Sequence, residues 1–196
     1  MSSFPLVCIG GSAGGLDAYM RLLGCLPADL NVAVIIVNHI TIAPTMLHEV
    51  LARYSAMPVE LISERLTVLV NHVYIIPSNR DLHIKSGQFR LKPISKPRGW
   101  PDVITIFFQS VIQNWNGKTI AVILSGYDGD GAAAMCSIQA MGGITMAQKP
   151  STAVQPDMPE SAIATGCIDY VLSPEEIAFE IRRIAAAPSS ATQSLL

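Results

Sequence analysis

The sequence of 196 residues lacks the features that mark several large classes of protein. Although half of its residues are hydrophobic, no apolar run approaches the roughly 18 residues of a membrane-spanning helix. Lysine and arginine total 13 against 15 acidic residues, which argues against a nucleic-acid-binding surface. The first residues show no basic region followed by an apolar stretch, as a secretory signal would. We therefore expect a cytoplasmic protein that is not embedded in a membrane and has no nucleic-acid partner.

Motifs for binding metals are also missing. The sequence contains no H-E-x-x-H and no cluster of cysteine and histidine with zinc spacing. Residues 128–131 resemble the start of a calcium loop, but Ala133 and Gln139 stand where that loop needs glycine and glutamate. The widely spaced cysteines form no C-x-x-C pair, and we expect four buried free thiols: Cys8, Cys25, Cys136 and Cys167.

Strand-like and helix-like segments alternate along most of the chain. Residues 32–37 and 120–124 are continuously apolar and rich in β-branched side chains, which is typical of strands covered on both faces of a parallel sheet. We predict strands at 6–9, 33–37, 59–62, 119–124, 144–147 and 168–172, and helices at about 15–25, 46–54, 102–115, after 131, from 159, and at 174–186. This order predicts an α/β fold with a doubly wound, mostly parallel sheet and helices on both faces.

The alternation is interrupted between residues 73 and 91. Strand-like runs at 73–76, 81–84 and 89–91 are separated by the turn residues of 77–79 and 86–87, which predicts a small antiparallel hairpin insertion. We expect residues 1–186 to form one domain. The small, uncharged residues of 187–196 are typical of a flexible tail or a linker.

A glycine-rich turn follows the first predicted strand. Ser12 lies in Gly10-Gly11-Ser12-Ala13-Gly14-Gly15, which fits G-x-S-x-G, the pattern of a serine nucleophile on a sharp strand-to-helix turn. A loop that binds a dinucleotide or a phosphate is the alternative. It is disfavoured because the second strand ends in Asn38-His39 instead of an acidic residue, and no Gly-Lys-Ser/Thr follows the turn.

Chemically useful groups follow three strands of the predicted sheet. Ser12 follows the first strand and His39 the second, while Asp128 and Asp130 follow the strand that ends at Leu124. Ligands of doubly wound sheets bind at the carboxyl ends of the strands, so these groups can supply a nucleophile, a base and an orienting carboxylate. Spacing alone leaves the choice between the two aspartates open. The remaining histidines are expected at surface or packing positions: His48, His72 and His83.

Several further motifs occur in a fixed order around these groups. The most specific are Ile9 to Gly15, Asn38-His39, Val73 to Pro77, Leu124 to Ala132, Gly142 to Gln148, Met158 to Ile163 and Gly166 to Leu172. With them, the chain resembles the catalytic domain of the chemotaxis protein-glutamate methylesterases, the CheB family, from about residue 7 to residue 181.

The resemblance implies a role for each site residue. Ser12 would be the nucleophile, His39 the general base and acid, and Asp130, in preference to Asp128, the carboxylate that holds the imidazole. Backbone N–H groups near Ala13 and Tyr127 would form the oxyanion hole. These two positions depart from the family, which usually has serine or threonine at the first and methionine at the second.

The resemblance also implies a reaction and its partners. We expect hydrolysis of glutamate γ-methyl esters on the methylated cytoplasmic helices of chemoreceptors, with deamidation of receptor glutamine as a related activity, and without a cofactor or a metal. Typical members carry a receiver domain that these residues do not contain, so we expect a single-domain version or a segment of a longer protein, with a fused or separate methyltransferase or sensor-kinase module as a further partner. The alternative is a CheB-like docking module without turnover.

Overall fold

The computed structural model describes residues 4–39, 46–96 and 101–187 of the chain. They form nine strands: β1 (Leu6–Gly11), β2 (Ala33–Asn38), β3 (Val59–Leu61), β4 (His72–Ile75), β5 (Arg80–Lys85), β6 (Gln88–Pro93), β7 (Thr119–Ile123), β8 (Ile144–Gln148) and β9 (Tyr170–Leu172). Seven of them build one sheet in the order β3-β4-β2-β1-β7-β8-β9, and every pairing in it is parallel. The predicted doubly wound α/β fold is confirmed.

Helices cover both faces of this sheet. They are α1 (Gly15–Gly24), α2 (Leu47–Leu51), α3 (Val103–Asn114), α4 (Ala132–Ala140), α5 (Asp157–Ala164) and α6 (Pro174–Ala186). The start of α6 is fixed by a capping box, in which the side chains of Ser173 and Glu176 each accept the other residue's backbone N–H. Pro174 occupies the first helical position, where its missing N–H costs no hydrogen bond.

Alternate residues of the central strand enter two separate cores. Leu6 and Cys8 of β1 pack with α3, α4, α5 and the hairpin, whereas Val7 and Ile9 pack with α1 and α6. All four side chains are fully buried. Removing an aliphatic side chain from water on either face stabilises the fold by about 1.5–3 kcal/mol. Burial on both faces therefore explains why β1 is apolar throughout.

The antiparallel insertion is smaller than predicted. The strands β5 and β6 form a two-stranded hairpin that turns at Ser86 and Gly87, both with positive φ. The expectation that residues 73–76 belong to this insertion is wrong, because β4 pairs in parallel with β2 and β3 in the main sheet. Val73, Tyr74 and Ile75 are fully buried, as a strand of the main sheet requires. The turn residues that follow β4 mark the exit from the sheet.

The expectation of four buried free thiols is wrong. Cys136 of α4 and Cys167, in the segment before β9, form a disulfide with a Cα–Cα distance of 4.9 Å. Of the free cysteines, Cys8 is buried and Cys25 is exposed. Burial raises the pKa of the Cys8 thiol well above its ordinary range. The paired cysteines are 31 residues apart and meet only because the sheet places α4 beside this segment.

Several predicted boundaries shift by a few residues. The helix α2 is shorter than the predicted 46–54, α5 begins at Asp157 instead of residue 159, and β9 begins at Tyr170 instead of residue 168. Of the predicted tail, all but residue 187 lies outside the described residues. No helix in the described part of the chain is both long and apolar enough to cross a membrane.

Candidate active site

The serine turn lies at the switch point of the sheet. The connection from β1 leads to β2 on one side, and the connection from β7 leads to β8 on the other, so the switch point lies between β1 and β7, where doubly wound sheets bind their ligands. Ser12 lies between the end of β1 and the start of α1. Its backbone N–H donates to the Ser125 carbonyl at 2.8 Å, and its own carbonyl accepts the Gly15 N–H at 3.0 Å. The sharp strand-to-helix turn predicted from the sequence is present.

Glycine is required at two positions beside Ser12. Gly14 has a φ of +73°, and a Cβ there would lie 2.5 Å from the Cβ of Val154. A Cβ on Gly126 would overlap the sulfur of Met158 and lie 3.0 Å from the Cβ of Ser12. Larger residues at either position would displace the serine or the loop after β7.

The strand register places His39 beside the serine. Gly11 of β1 pairs with Asn38 of β2, so Ser12 and His39 leave neighbouring parallel strands at the same level. The His39 side chain is only 6% exposed, and its Nε2 lies 2.7 Å from Oδ2 of Asp130. Within the described residues, no hydrogen bond joins the Ser12 hydroxyl to the imidazole. The ring is therefore held from the Asp130 side.

Asp130 is fixed by the first turn of α3. Its Oδ2 accepts the Ile104 N–H at 2.8 Å as well as the His39 contact, and its Oδ1 accepts the Thr105 N–H at 2.9 Å. Burial opposes ionisation, but the hydrogen bonds with His39, Ile104 and Thr105 outweigh it and lower the pKa of Asp130 below its ordinary value. An ionised Asp130 assigns the proton of the neutral imidazole to Nε2 and leaves the lone pair on Nδ1.

Asp128 approaches the other nitrogen of the same ring. Its Oδ2 lies 3.5 Å from Nδ1 of His39, and its Oδ1 accepts the Asp130 N–H at 2.8 Å. Burial raises the pKa of the Asp128 carboxyl, while the Asp130 N–H and His39 act in the opposite direction. The structure thus brings both candidate aspartates to His39, on opposite sides of the imidazole.

Two supporting residues of the serine turn received no role from the sequence. The Ser125 hydroxyl donates to the Ala13 carbonyl at 2.9 Å and accepts the Gln155 N–H at 2.9 Å. Gln148 accepts the Ser125 N–H through Oε1 at 2.9 Å. Both side chains are buried. The sequence signal that could have indicated them is a polar residue at the end of an apolar strand: Ser125 follows β7, and Gln148 is the last residue of β8.

The two predicted oxyanion donors lie on the loops that flank Ser12. Among the described residues, no acceptor pairs with the backbone N–H of Ala13 or of Tyr127. The neighbouring Gly126 N–H is already used, because it donates to the Gln155 carbonyl at 3.0 Å. The side chain of Tyr127 is exposed at the rim, together with Leu16 and Val154.

The sequence also predicts that the chain has no metal site and that His48, His72 and His83 lie outside the active site. The described residues contain no group of three or more His, Cys, Asp or Glu side chains arranged for a metal ion. His72 donates from Nδ1 to the Val70 carbonyl at 2.9 Å, and His48 lies next to Glu49 on α2. His83 belongs to the hairpin strand β5. None of these three contacts Ser12 or Asp130 in the part of the chain that is described.

The sequence of this chain is similar to those of known proteins. The protein-glutamate methylesterase/protein-glutamine glutaminase 2 of Burkholderia pseudomallei strain 1710b is 33% identical over 181 residues, which are 90% of this chain and 52% of that protein. The corresponding enzyme 1 of Cupriavidus pinatubonensis is 35% identical over 176 residues, which are 88% and 51%. The chain thus spans about half the length of these relatives.

A solved structure shows the same architecture. The crystal structure of the Thermotoga maritima CheB methylesterase catalytic domain superposes with a TM-score of 0.81 at 26% identity, covering 94% of this chain and 100% of that one. The sequence model described as CheB methylesterase matches residues 7–181, the range expected from the motifs. The chain belongs to the CheB methylesterase family.

Proposed function

We propose that this domain hydrolyses the γ-methyl esters of glutamate side chains on methyl-accepting chemoreceptors. One observation supports the proposal: Gly11 and Asn38 pair in register, so Ser12 and His39 directly follow neighbouring parallel strands, and Nε2 of His39 lies 2.7 Å from the buried Asp130. This order of nucleophile, imidazole and carboxylate is the constellation of a serine hydrolase. Family membership and the names of the relatives support a methyl ester of glutamate as the substrate.

In the proposed reaction, Nδ1 of His39 takes the proton of the Ser12 hydroxyl as the serine oxygen bonds to the ester carbonyl carbon. The resulting oxyanion is stabilised by the N–H groups of Ala13 and Tyr127 and by the positive end of α1. His39 then gives its proton to the departing methoxide, and methanol leaves an acyl-enzyme. Water, activated by the same nitrogen, attacks the acyl-enzyme and regenerates the serine.

The rate enhancements expected from these groups are sufficient for the hydrolysis of an ester. General-base assistance contributes roughly 10²–10⁴-fold, and each donor to the oxyanion roughly 10²–10³-fold. Asp130 acts through His39, because it fixes the tautomer and stabilises the imidazolium ion. These steps require no cofactor and no metal. Glutamine is the second proposed substrate, since its amide can follow the same path with ammonia as the leaving group.

Receptor helices are the proposed partners, and a methyltransferase or a sensor-kinase module, fused or separate, is a further one. A cytoplasmic location is proposed with them, because the receptor segments that carry these esters lie there. The exposed apolar rim of Leu16, Tyr127 and Val154 is suited to contact an amphipathic helix beside the ester.

Methanol release from methylated receptor membranes tests the proposal. The wild-type chain should release methanol, and Ser12→Ala should not. Ser137→Ala is the matched control, because Ser137 is an exposed residue of α4. A folded wild-type chain that binds the membranes without releasing methanol would support the docking module instead. Full turnover by Ser12→Ala would show that Ser12 is not the nucleophile.

A further inference from the structure

We propose that Asp128 is a second positioning residue for His39, a role that rests on the proposed esterase function. Its carboxylate faces Nδ1, opposite Asp130, and stabilises the ring when that nitrogen carries a proton. In this way Asp128 promotes proton transfer from Ser12 and also sets the acid limit of turnover.

The first support is the orientation of the carboxylate. One oxygen of Asp128 is anchored, because Oδ1 accepts the Asp130 N–H at 2.8 Å. The other, Oδ2, is buried, has no hydrogen-bond partner among the described residues and lies 3.5 Å from Nδ1 of His39. In the neutral ring, whose proton lies on Nε2, Nδ1 carries only a lone pair and donates no hydrogen bond to this oxygen. A proton on Nδ1 supplies the donor that Oδ2 lacks.

The second support is the backbone of Asp128. Its φ is +70°, in the left-handed region that side chains other than glycine rarely adopt, although aspartate tolerates it better than most. The position thus combines an unfavourable backbone conformation with a buried carboxylate oxygen that has no donor among the described residues. Such features persist at functional sites, where they serve the reaction. A charged imidazole formed during turnover gives this carboxylate its partner.

The other charged groups that the structure describes near the ring do not face Nδ1. Asp130 occupies the Nε2 side. Asp102, which precedes α3, pairs with Lys96 at the surface. Arg80, at the start of β5, borders the small cavity beside His39 but is exposed to solvent. Asp128 is therefore the charged group that Nδ1 meets in the described part of the chain.

The position of Asp128 has two opposite consequences for turnover. When His39 removes the proton from Ser12, the new imidazolium ion meets a carboxylate on each side, which lowers the barrier. In the resting enzyme the same charge favours a protonated Nδ1, which cannot act as a base. Asp128 should therefore raise the plateau rate and move the acid limb of the pH profile to higher pH.

Replacing Asp128 should reverse both effects. In Asp128→Asn and Asp128→Gly, the acid limb of kcat/KM should move by about 0.5–1.5 pH units to lower pH, as expected for losing a charge at this distance in a water-like environment. The plateau should fall by about 3- to 30-fold. The glycine variant also removes the left-handed strain, so it should fold at least as well as the wild type. Asp29→Asn, at an exposed aspartate, is the matched control and should leave the profile unchanged.

An NMR titration of His39 tests the pairing without relying on turnover. With imidazole-labelled protein in the Ser12→Ala background, the midpoint of the His39 titration should fall in both Asp128 variants and remain in Asp29→Asn. An unchanged midpoint in both Asp128 variants would overturn the proposal, as would an unchanged acid limb in an active enzyme. If the wild type released no methanol but the midpoint still fell, the esterase function would fail while the pairing stood.

Discussion

The Nε2 atom of His39 lies 2.7 Å from Oδ2 of Asp130, at the carboxyl end of the sheet. Asp130 also accepts hydrogen bonds from two backbone N–H groups in the first turn of α3. These bonds hold its carboxylate facing the imidazole ring. The neutral ring must then carry its proton on Nε2. Nδ1 is consequently the nitrogen that can act as the base.

Loss of either the proposed nucleophile or the proposed base should abolish ester hydrolysis. Ser12→Ala and His39→Ala should each lower kcat by roughly 10³-fold or more, and the double variant should lose little beyond either single one, because the two residues act as a unit. Methanol release measures the rates, and thermal melts check the fold. Losses that multiply in the double variant would mean that the residues act independently.

The two aspartates should differ sharply in their effect on rate. Asp130→Asn should lower kcat by roughly 10³–10⁴-fold, since an amide no longer fixes the tautomer or balances the imidazolium charge. Asp128→Asn should lower the plateau far less, because the tautomer stays fixed by Asp130. Parallel pH–rate profiles provide the comparison. Equal losses, or a larger loss for Asp128→Asn, would overturn the choice of Asp130 over Asp128.

The same two aspartates should affect stability with opposite signs. The lowered pKa of Asp130 means that its ionised form stabilises the folded state above the unfolded-state pKa of about 3.9, and that this contribution is lost as the pH falls through the folded-state pKa. Asp130→Asn should therefore lower the free energy of unfolding by about 1–3 kcal/mol at pH 7 and by less at pH 3.

Because the pKa of Asp128 is raised, its ionised form should destabilise the folded state, the opposite of the effect of Asp130. Its ionised form is disfavoured in the folded state, so the cost of this carboxylate appears as the pH rises above the unfolded-state pKa and disappears in acid. Asp128→Asn should consequently be neutral or stabilising at pH 7. Urea unfolding at pH 3, 5 and 7 measures both variants. A loss of stability at pH 7 in Asp128→Asn that matches the loss in Asp130→Asn would contradict this assignment.

Replacing the buried Ser125 should lower activity, and not only stability, because its side chain supports the turn that carries Ser12. Ser125→Ala removes the hydroxyl that links the Ala13 carbonyl to the Gln155 N–H, so the turn that carries Ser12 loses a support. We expect kcat to fall by about 10- to 100-fold, because small displacements of a reacting group are costly.

Ser110→Ala is a matched control for Ser125→Ala. Its hydroxyl is also buried and likewise links two backbone groups, the N–H and the carbonyl of Ile84, but it joins α3 to the hairpin. Both variants should lose about 1–3 kcal/mol of stability, and Ser110→Ala should keep wild-type turnover. Equal activities in the two variants would deny Ser125 a role in positioning the nucleophile.

The sequence predicted the main sheet and the positions that follow its strands, because apolar periodicity and glycine turns are local signals. The sequence analysis misses the parallel pairing of β4, since one partner, β2, lies more than 30 residues upstream and the turn after β4 suggests a hairpin. Family resemblance selected Asp130, but the approach of Asp128 to the other ring nitrogen depends on the path of a left-handed loop residue. No spacing rule gives that path. The roles of Ser125 and Gln148 likewise emerge only when β1, β7 and β8 lie side by side.

The disulfide between Cys136 and Cys167 should stabilise the fold without serving the reaction. It closes a loop of 31 residues that runs from α4 to the segment before β9, and cross-links of this kind contribute about 2–4 kcal/mol by restricting the unfolded chain. Under oxidising conditions, Cys136→Ser should therefore unfold at a lower urea concentration than the wild type, and reducing agent should remove the difference. Thiol titration of the denatured, unreduced wild type should detect two thiols, Cys8 and Cys25. Four thiols before reduction would show that the bond does not form and that Cys136 and Cys167 are free.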